Sequence, residues 1–136
     1  EVLYLVKEIK NMKKVINTKF APKAIGPYSQ AILSGNTLYC SGQIGIEPNS
    51  GELITESIKK ETEQIMNNIG AVLSAVNMDY DNIVKCSIFM KDMDDYQEIN
   101  KIYSIFFKNS PPAREAIQVS KLPKNANLEI SIIAVK

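Results

Sequence analysis

Residues 111–136 read PPAREAIQVSKLPKNANLEISIIAVK. Two stretches of it, Ala113–Val119 and Leu128–Val135, carry Ala, Ile, Val and Leu at alternating places, the period of strands with one buried face. Pro123 and Asn125 mark the turn between them. Into these strands the sequence sets Arg114 and Glu129. In the second strand Leu128, Ile130, Ile132 and Ala134 form one face, and Glu129 lies on the other with Ser131, Ile133 and Val135. Charged side chains enter such patterns at a solvated edge, in a structural ion pair, or where something is bound. For Arg114 the binding reading is recognition of a carboxylate, which the planar guanidinium grips with two parallel hydrogen bonds. For Glu129 it is an acceptor that holds and polarises a water.

Reading toward the N-terminus, Pro111-Pro112 stops a helical segment, KDMDDYQEINKIYSIFFK (91–108). Its apolar stripe is Ile99, Ile102, Tyr103 and Phe106, and Asp94 with Gln97 is the expected capping box. DNIVKCSIFM (81–90) is rich in β-branched residues and predicts a strand. From about Glu56 the helical period holds, with Ile58, Ile65, Met66, Ile69, Val72, Leu73 and Val76 on one face. Lys59, Lys60, Glu63, Asn67 and Asn68 fall between them. Gly70 within this helix predicts close packing against a neighbour. YSQAILSGNTLYCSGQIGI (28–46) predicts a hairpin turning at Ser34-Gly35-Asn36, followed by a loop in EPNSGEL (47–53). The expected order is β-β-α-β-α-β-β, an α+β layer fold with both helices on one sheet face. Residues 12–136 form one domain in this reading, and EVLYLVKEIKN (1–11) is an extension outside it.

The composition narrows the function. Sixteen Lys+Arg against fifteen Asp+Glu leave a formal charge of +1, with no basic blocks, which argues against nucleic acid as a partner. Histidine is absent, so any chemistry proceeds without imidazole. Cys40 and Cys86 are far apart in apolar runs; they predict buried thiols in a reducing, cytoplasmic setting rather than a disulfide or a metal site. Organellar targeting by residues 1–11 stays open. No run of about 18 apolar residues is present to span a membrane. No dinucleotide, phosphate-loop, zinc-protease or nucleophile-elbow motif occurs.

Two helices cover only one face of the sheet. The other keeps apolar side chains, which predicts a homo-oligomer that buries its open faces together. Several polar or small residues stand near these elements. Tyr28 in AIGPYSQ reads as ordinary core or as a pocket wall. Ser41 and Gly42 sit mid-strand, where glycine marks close approach of another group. Asn100 lies beside the helical stripe, solvated or lining a site.

Together, APKAIGPYSQA, LYCSGQIGIEPNSGEL, NIVKCSIFMKDMDDYQEINKIYSIFF and the final PPAREAIQVSKLPKNANLEISIIAV resemble, in order and spacing, the Rid family of YjgF-like reactive-intermediate imine deaminases. The resemblance runs from about Met12 to the C-terminus. It implies a chorismate-mutase-like fold, a homotrimer and clefts between subunits. It also implies hydrolysis of small 2-imino acids, or enamine tautomers such as 2-aminoacrylate, to 2-oxo acids and ammonia, with no metal or cofactor. By the same resemblance Arg114 grips the substrate carboxylate, Glu129 serves the hydrolytic water, and Tyr28, Ser41, Gly42 and Asn100 line the cleft. Archetypal members often carry cysteine where this chain has Ala116, and a small residue where it has Glu115. A covalent thiol step at 116 is thereby excluded, while the Ala116 backbone N–H remains a donor. Two other classes of function share the pattern: a ligand-sensing or protein-interaction module, and a ribonuclease or translation inhibitor.

Overall fold

A computed structural model describes residues 2–3 and 12–136; the expectation for residues 1–11 lies, but for Val2 and Leu3, outside the described residues. The strands are β1 (Lys13–Ile16), β2 (Ala31–Ser34), β3 (Thr37–Gln43), β4 (Ile83–Met90), β5 (Ala113–Gln118) and β6 (Leu128–Val135), and the α-helices of residues 12–136 are α1 (Ile58–Ser74) and α2 (Tyr96–Ile105). They build one six-stranded sheet in the order β1-β2-β3-β6-β4-β5. All neighbours are antiparallel except β4 and β5, which run parallel on either side of α2 in sequence.

The five expected strands and both helices are present, and one strand was missed. β1 is only KKVI, and of its four side chains only Ile16 is buried. It offers no alternation to read, because backbone pairing with β2 is what holds it. Its two lysines lie on an open sheet edge, where charge discourages pairing with another chain.

The hairpin forms as expected. Ser34 pairs with Thr37 across a two-residue turn. Gly35 takes φ +59 there while Asn36 does not take a positive φ, as in a II′ turn, whose first residue favours glycine. α1 is capped by Ser57, whose Oγ accepts from Lys60 N at 3.1 Å. The capping box expected at Asp94 does not form. Asp92 instead accepts from Asp94 N and opens a single 3-10 turn, Met93–Asp95, that leads into α2 without a side-chain cap. Asp94 is thus inside a turn rather than at its start.

The core lies between the sheet and the helices. Ile65, Met66, Ile69, Val72 and Leu73 of α1 and Ile99 of α2 meet Leu38, Cys86, Ile88, Met90, Leu128 and Ile130 of the sheet. Both cysteines are buried free thiols, and burial pushes Cys40 up to about 12. Gly70 has the neighbour its position predicted. A Cβ there would collide with the Tyr80 hydroxyl, which donates to the Met66 carbonyl at 2.7 Å.

Asn68 corrects the polar-face reading of α1: it is buried, and its Nδ2 donates to the Ile46 carbonyl at 2.9 Å. Glu61 is buried as well. Its carboxylate accepts from Asn127 N and Asn127 Nδ2, both at 2.9 Å, and so ties α1 to the chain just ahead of β6.

The opposite face of the sheet has no covering layer among the described residues. Register places Val15, Ile32, Tyr39, Ile133 and Lys85 in one row across it. Ile117, Phe89 and Glu129 form another.

Candidate active site

The expected site residues fall into two groups. Tyr28, Ser41, Gly42 and Glu129 gather around one cavity of about 310 Å³, together with Pro22, Lys23, Gln30, Ile44, Ile46 and Pro123. Arg114 and Asn100 line a different cleft, with Tyr103, Phe107, Pro111 and Pro112. Ala116 lines neither and packs against the core.

Glu129 points away from the helices, because its neighbours Leu128 and Ile130 point into the core. Gly42 makes room for it: a Cβ on Gly42 would stand 2.6 Å from Glu129 Oε1. That is the physical reason for a glycine in mid-strand here. Half-burial without a compensating partner raises the Glu129 carboxyl above its ordinary value. Ser41 is committed locally, its Oγ donating to the Ser29 carbonyl at 2.6 Å. Tyr28 curls back so that its hydroxyl accepts from Ile25 N at 3.2 Å. Its ring is half-exposed, so it is a cavity wall and not core.

Gln30 escaped the sequence reading. Its buried amide donates to the carbonyls of Thr18 at 3.0 Å and Pro22 at 2.8 Å, and its Oε1 accepts from Thr18 N at 2.7 Å. These bonds pin the 18–22 segment, whose end lines the cavity. A polar residue at the start of a strand was the signal for it.

Arg114 lies on the helix side of the sheet. Its register partner is Cys86, a core residue. Nη1 donates to Asn100 Oδ1 at 2.7 Å and Nη2 to Tyr96 Oη at 2.9 Å. Its Cζ stands 5.0 Å from the Tyr103 ring centroid and 5.6 Å from that of Tyr96. Among the described residues Arg114 makes no ion pair. A part-buried guanidinium held only by neutral oxygens and rings keeps its charge uncompensated, which suits it to an anionic ligand. Beneath it, burial raises the Tyr103 phenol and the Cys86 thiol. The buried Tyr103 hydroxyl has no hydrogen-bond partner among the described residues.

Glu115, beside Arg114 in β5, faces the other way. It pairs with Lys85 Nζ at 2.8 Å and accepts from Ser87 Oγ. These contacts hold its carboxyl below the usual range, the lysine first and the serine second. Its charge is therefore answered locally. Among the described residues no cluster of Cys, Asp and Glu could hold a metal ion.

A mixed sheet with two helices on one face, an uncompensated arginine and a carboxylate cavity define the class: a chorismate-mutase-like α+β domain. The chain belongs to the family described as Endoribonuclease L-PSP, the YjgF/RidA family, whose sequence profile matches residues 18–136. It is 43% identical over 125 residues to the human 2-iminobutanoate/2-iminopropanoate deaminase, covering 92% of this chain and 91% of that protein. It is 46% identical to a RutC family protein of Pyrococcus horikoshii, covering 92% of this chain and 99% of that one. Among solved structures, a Rid-family protein of unknown function from Yersinia pestis superposes with a TM-score of 0.88 at 47% identity, covering 91% and 99% of the two chains. Escherichia coli TdcF with bound serine gives 0.88 at 36% identity over 91% and 99%.

Proposed function

We propose that the protein is a 2-iminobutanoate/2-iminopropanoate deaminase, hydrolysing small 2-imino acids, and enamine tautomers such as 2-aminoacrylate, to 2-oxo acids and ammonia. Arg114 carries the reading: its charge is unanswered among the described residues and its fork fits a 2-imino acid's carboxylate. The deaminase name of relatives at about 44% identity supports the same reaction.

Arg114 and Glu129 stand on opposite faces of one sheet, so one copy does not bring them together. The reading therefore includes a homotrimer, in which the Arg114 edge of one copy meets the Glu129 cavity of the next. The uncovered row of Val15, Ile32, Tyr39 and Ile133 supplies apolar area for that contact. The two unpaired, buried thiols fit a cytoplasmic setting.

In this site the chemistry balances without a cofactor. Arg114 holds the carboxylate of the protonated imine. Glu129 accepts a proton from a water as its oxygen bonds to C2, and the C=N π electrons move onto nitrogen. Glu129 returns that proton to the amine. The C–N bond then breaks and nitrogen departs as ammonia, the hydroxyl oxygen forms the 2-oxo group as Glu129 takes its proton, and Glu129 passes that proton to ammonia, which leaves as ammonium. Positioning alone supplies several kcal/mol toward such an addition.

The test is release of ammonia and 2-oxo acid from imines made in situ by an amino-acid oxidase. Binding of 2-oxobutanoate without turnover would favour a sensing module. The family's description favours one other reading, RNA cleavage. The formal charge of +1 speaks against it, and RNA binding with a steep salt slope would restore it.

A further inference from the structure

Arginine's side chain is long and freely rotating, so a bidentate grip works only if the guanidinium plane is held in advance. The strand carrying Arg114 does not hold it. Helix α2 does, with Tyr96, Asn100 and Tyr103 spaced i, i+4 and i+7 on one face. Asn100 takes one N–H from Nη1 and Tyr96 takes one from Nη2. Two anchors on different nitrogens fix the plane where one would leave it free to pivot. The Tyr103 ring lies 5.0 Å from Cζ, within cation–π range, and Tyr103 is itself buried. Of the guanidinium's five N–H groups, three remain for a ligand.

We propose that Tyr96 and Tyr103 are positioning residues of the carboxylate clamp. Tyr96 sets the rotation of the Arg114 fork through its hydroxyl, and Tyr103 supports the guanidinium with its ring. The proposal rests on the reading of Arg114 as the carboxylate anchor. Asn100 and the Arg114 charge hold the Tyr96 phenol below its ordinary value, in keeping with a hydroxyl that serves as an acceptor.

The test follows steady-state kinetics on an oxidase-generated imine, with calorimetric titration of 2-oxobutanoate and a thermal melt for every variant. Tyr96→Phe removes only the hydroxyl and should raise both KM and the 2-oxobutanoate Kd roughly 2- to 10-fold, with kcat nearly unchanged. Tyr103→Leu removes the ring and should raise both by roughly 2- to 30-fold. Tyr103→Phe keeps the ring and should restore parental values. A merely structural role would lower Tm and the active fraction while leaving KM and Kd in place. In an Arg114→Lys background, Tyr96→Phe should add little, because the two act as one unit. Parental KM and Kd in Tyr96→Phe and Tyr103→Leu, or full additivity with Arg114→Lys, would overturn the clamp while the deaminase reading stands. A parent protein that neither turns over imines nor binds 2-oxobutanoate would overturn both.

Discussion

Arg114 and Glu129 are both charged, yet their surroundings treat them differently. In the proposed function Arg114 is half of a charge pair whose other half is the ligand, so removing it leaves the ligand's carboxylate unpaired. Such losses cost roughly 2–5 kcal/mol, so Arg114→Ala should lower kcat/KM roughly 30- to 5,000-fold. Arg114→Lys keeps the charge, loses the fork and should stay severely impaired. Glu129→Gln leaves the anchor in place and should act on kcat. Gly42→Ala should reproduce that kcat defect, since its methyl occupies the space of the Glu129 carboxylate. The folded protein holds the Glu129 proton to higher pH than the unfolded chain does, because burial raises its carboxyl above the ordinary 4.5. Its contribution to stability is therefore most favourable below that value and declines as pH rises through the folded pKa. Glu129→Gln should raise Tm at neutral pH, and the gain should vanish in acid below the ordinary carboxyl value. A gain that persists in acid would assign the effect to something other than ionisation.

At the scale of elements, α1 and the Tyr80 segment are fitted to each other through the missing side chain of Gly70. On helix propensity alone Gly70→Ala would stabilise by about 1 kcal/mol. Here the new methyl meets the Tyr80 hydroxyl, and the overpacking should destabilise by about 1–3 kcal/mol. Adding Tyr80→Phe removes the obstructing oxygen and should recover much of the loss in a thermal melt. A close neighbour at Gly70 was legible in the sequence, as were the apolar face of α1, the faces of β6 and the β2–β3 hairpin, because periodicity and turn chemistry act over a few residues. Glu61 was not, although it falls in the buried series between Ile58 and Ile65. Its partner is Asn127, brought to it only by the fold. β1 was silent because an edge strand needs its neighbour's backbone and little of its own side chains. The alternation in β6 correctly set Glu129 against Leu128. That Arg114 points the other way depends on the pairing of β5 with β4, which no local pattern encodes.

For the whole molecule, the separation of the two charges makes assembly testable by function. Sedimentation should give about 46 kDa, three times the 15.2 kDa chain. Arg114→Ala and Glu129→Gln chains, each impaired alone, should recover activity when unfolded and refolded together. In randomly mixed closed rings about one site in four joins an intact Arg114 to an intact Glu129. No recovery, in mixed trimers verified by mass, would place both residues of each site in one chain. Deleting residues 1–11 should leave assembly and turnover intact, since the family profile matches residues 18–136 and β1 begins at Lys13. Extending the deletion through Ile16 strips β1 and should lower Tm and promote aggregation at the bared β2 edge.

The placement of the two cysteines bears on how long such a protein lasts. A 2-imino acid of the kind proposed as substrate is electrophilic at C2, and a thiolate adds readily to such a carbon. Cys40 and Cys86 are both enclosed and both held protonated by burial. A protein that meets such an electrophile thus offers it no exposed thiolate, and the native protein should resist thiol reagents that label the unfolded chain at both cysteines.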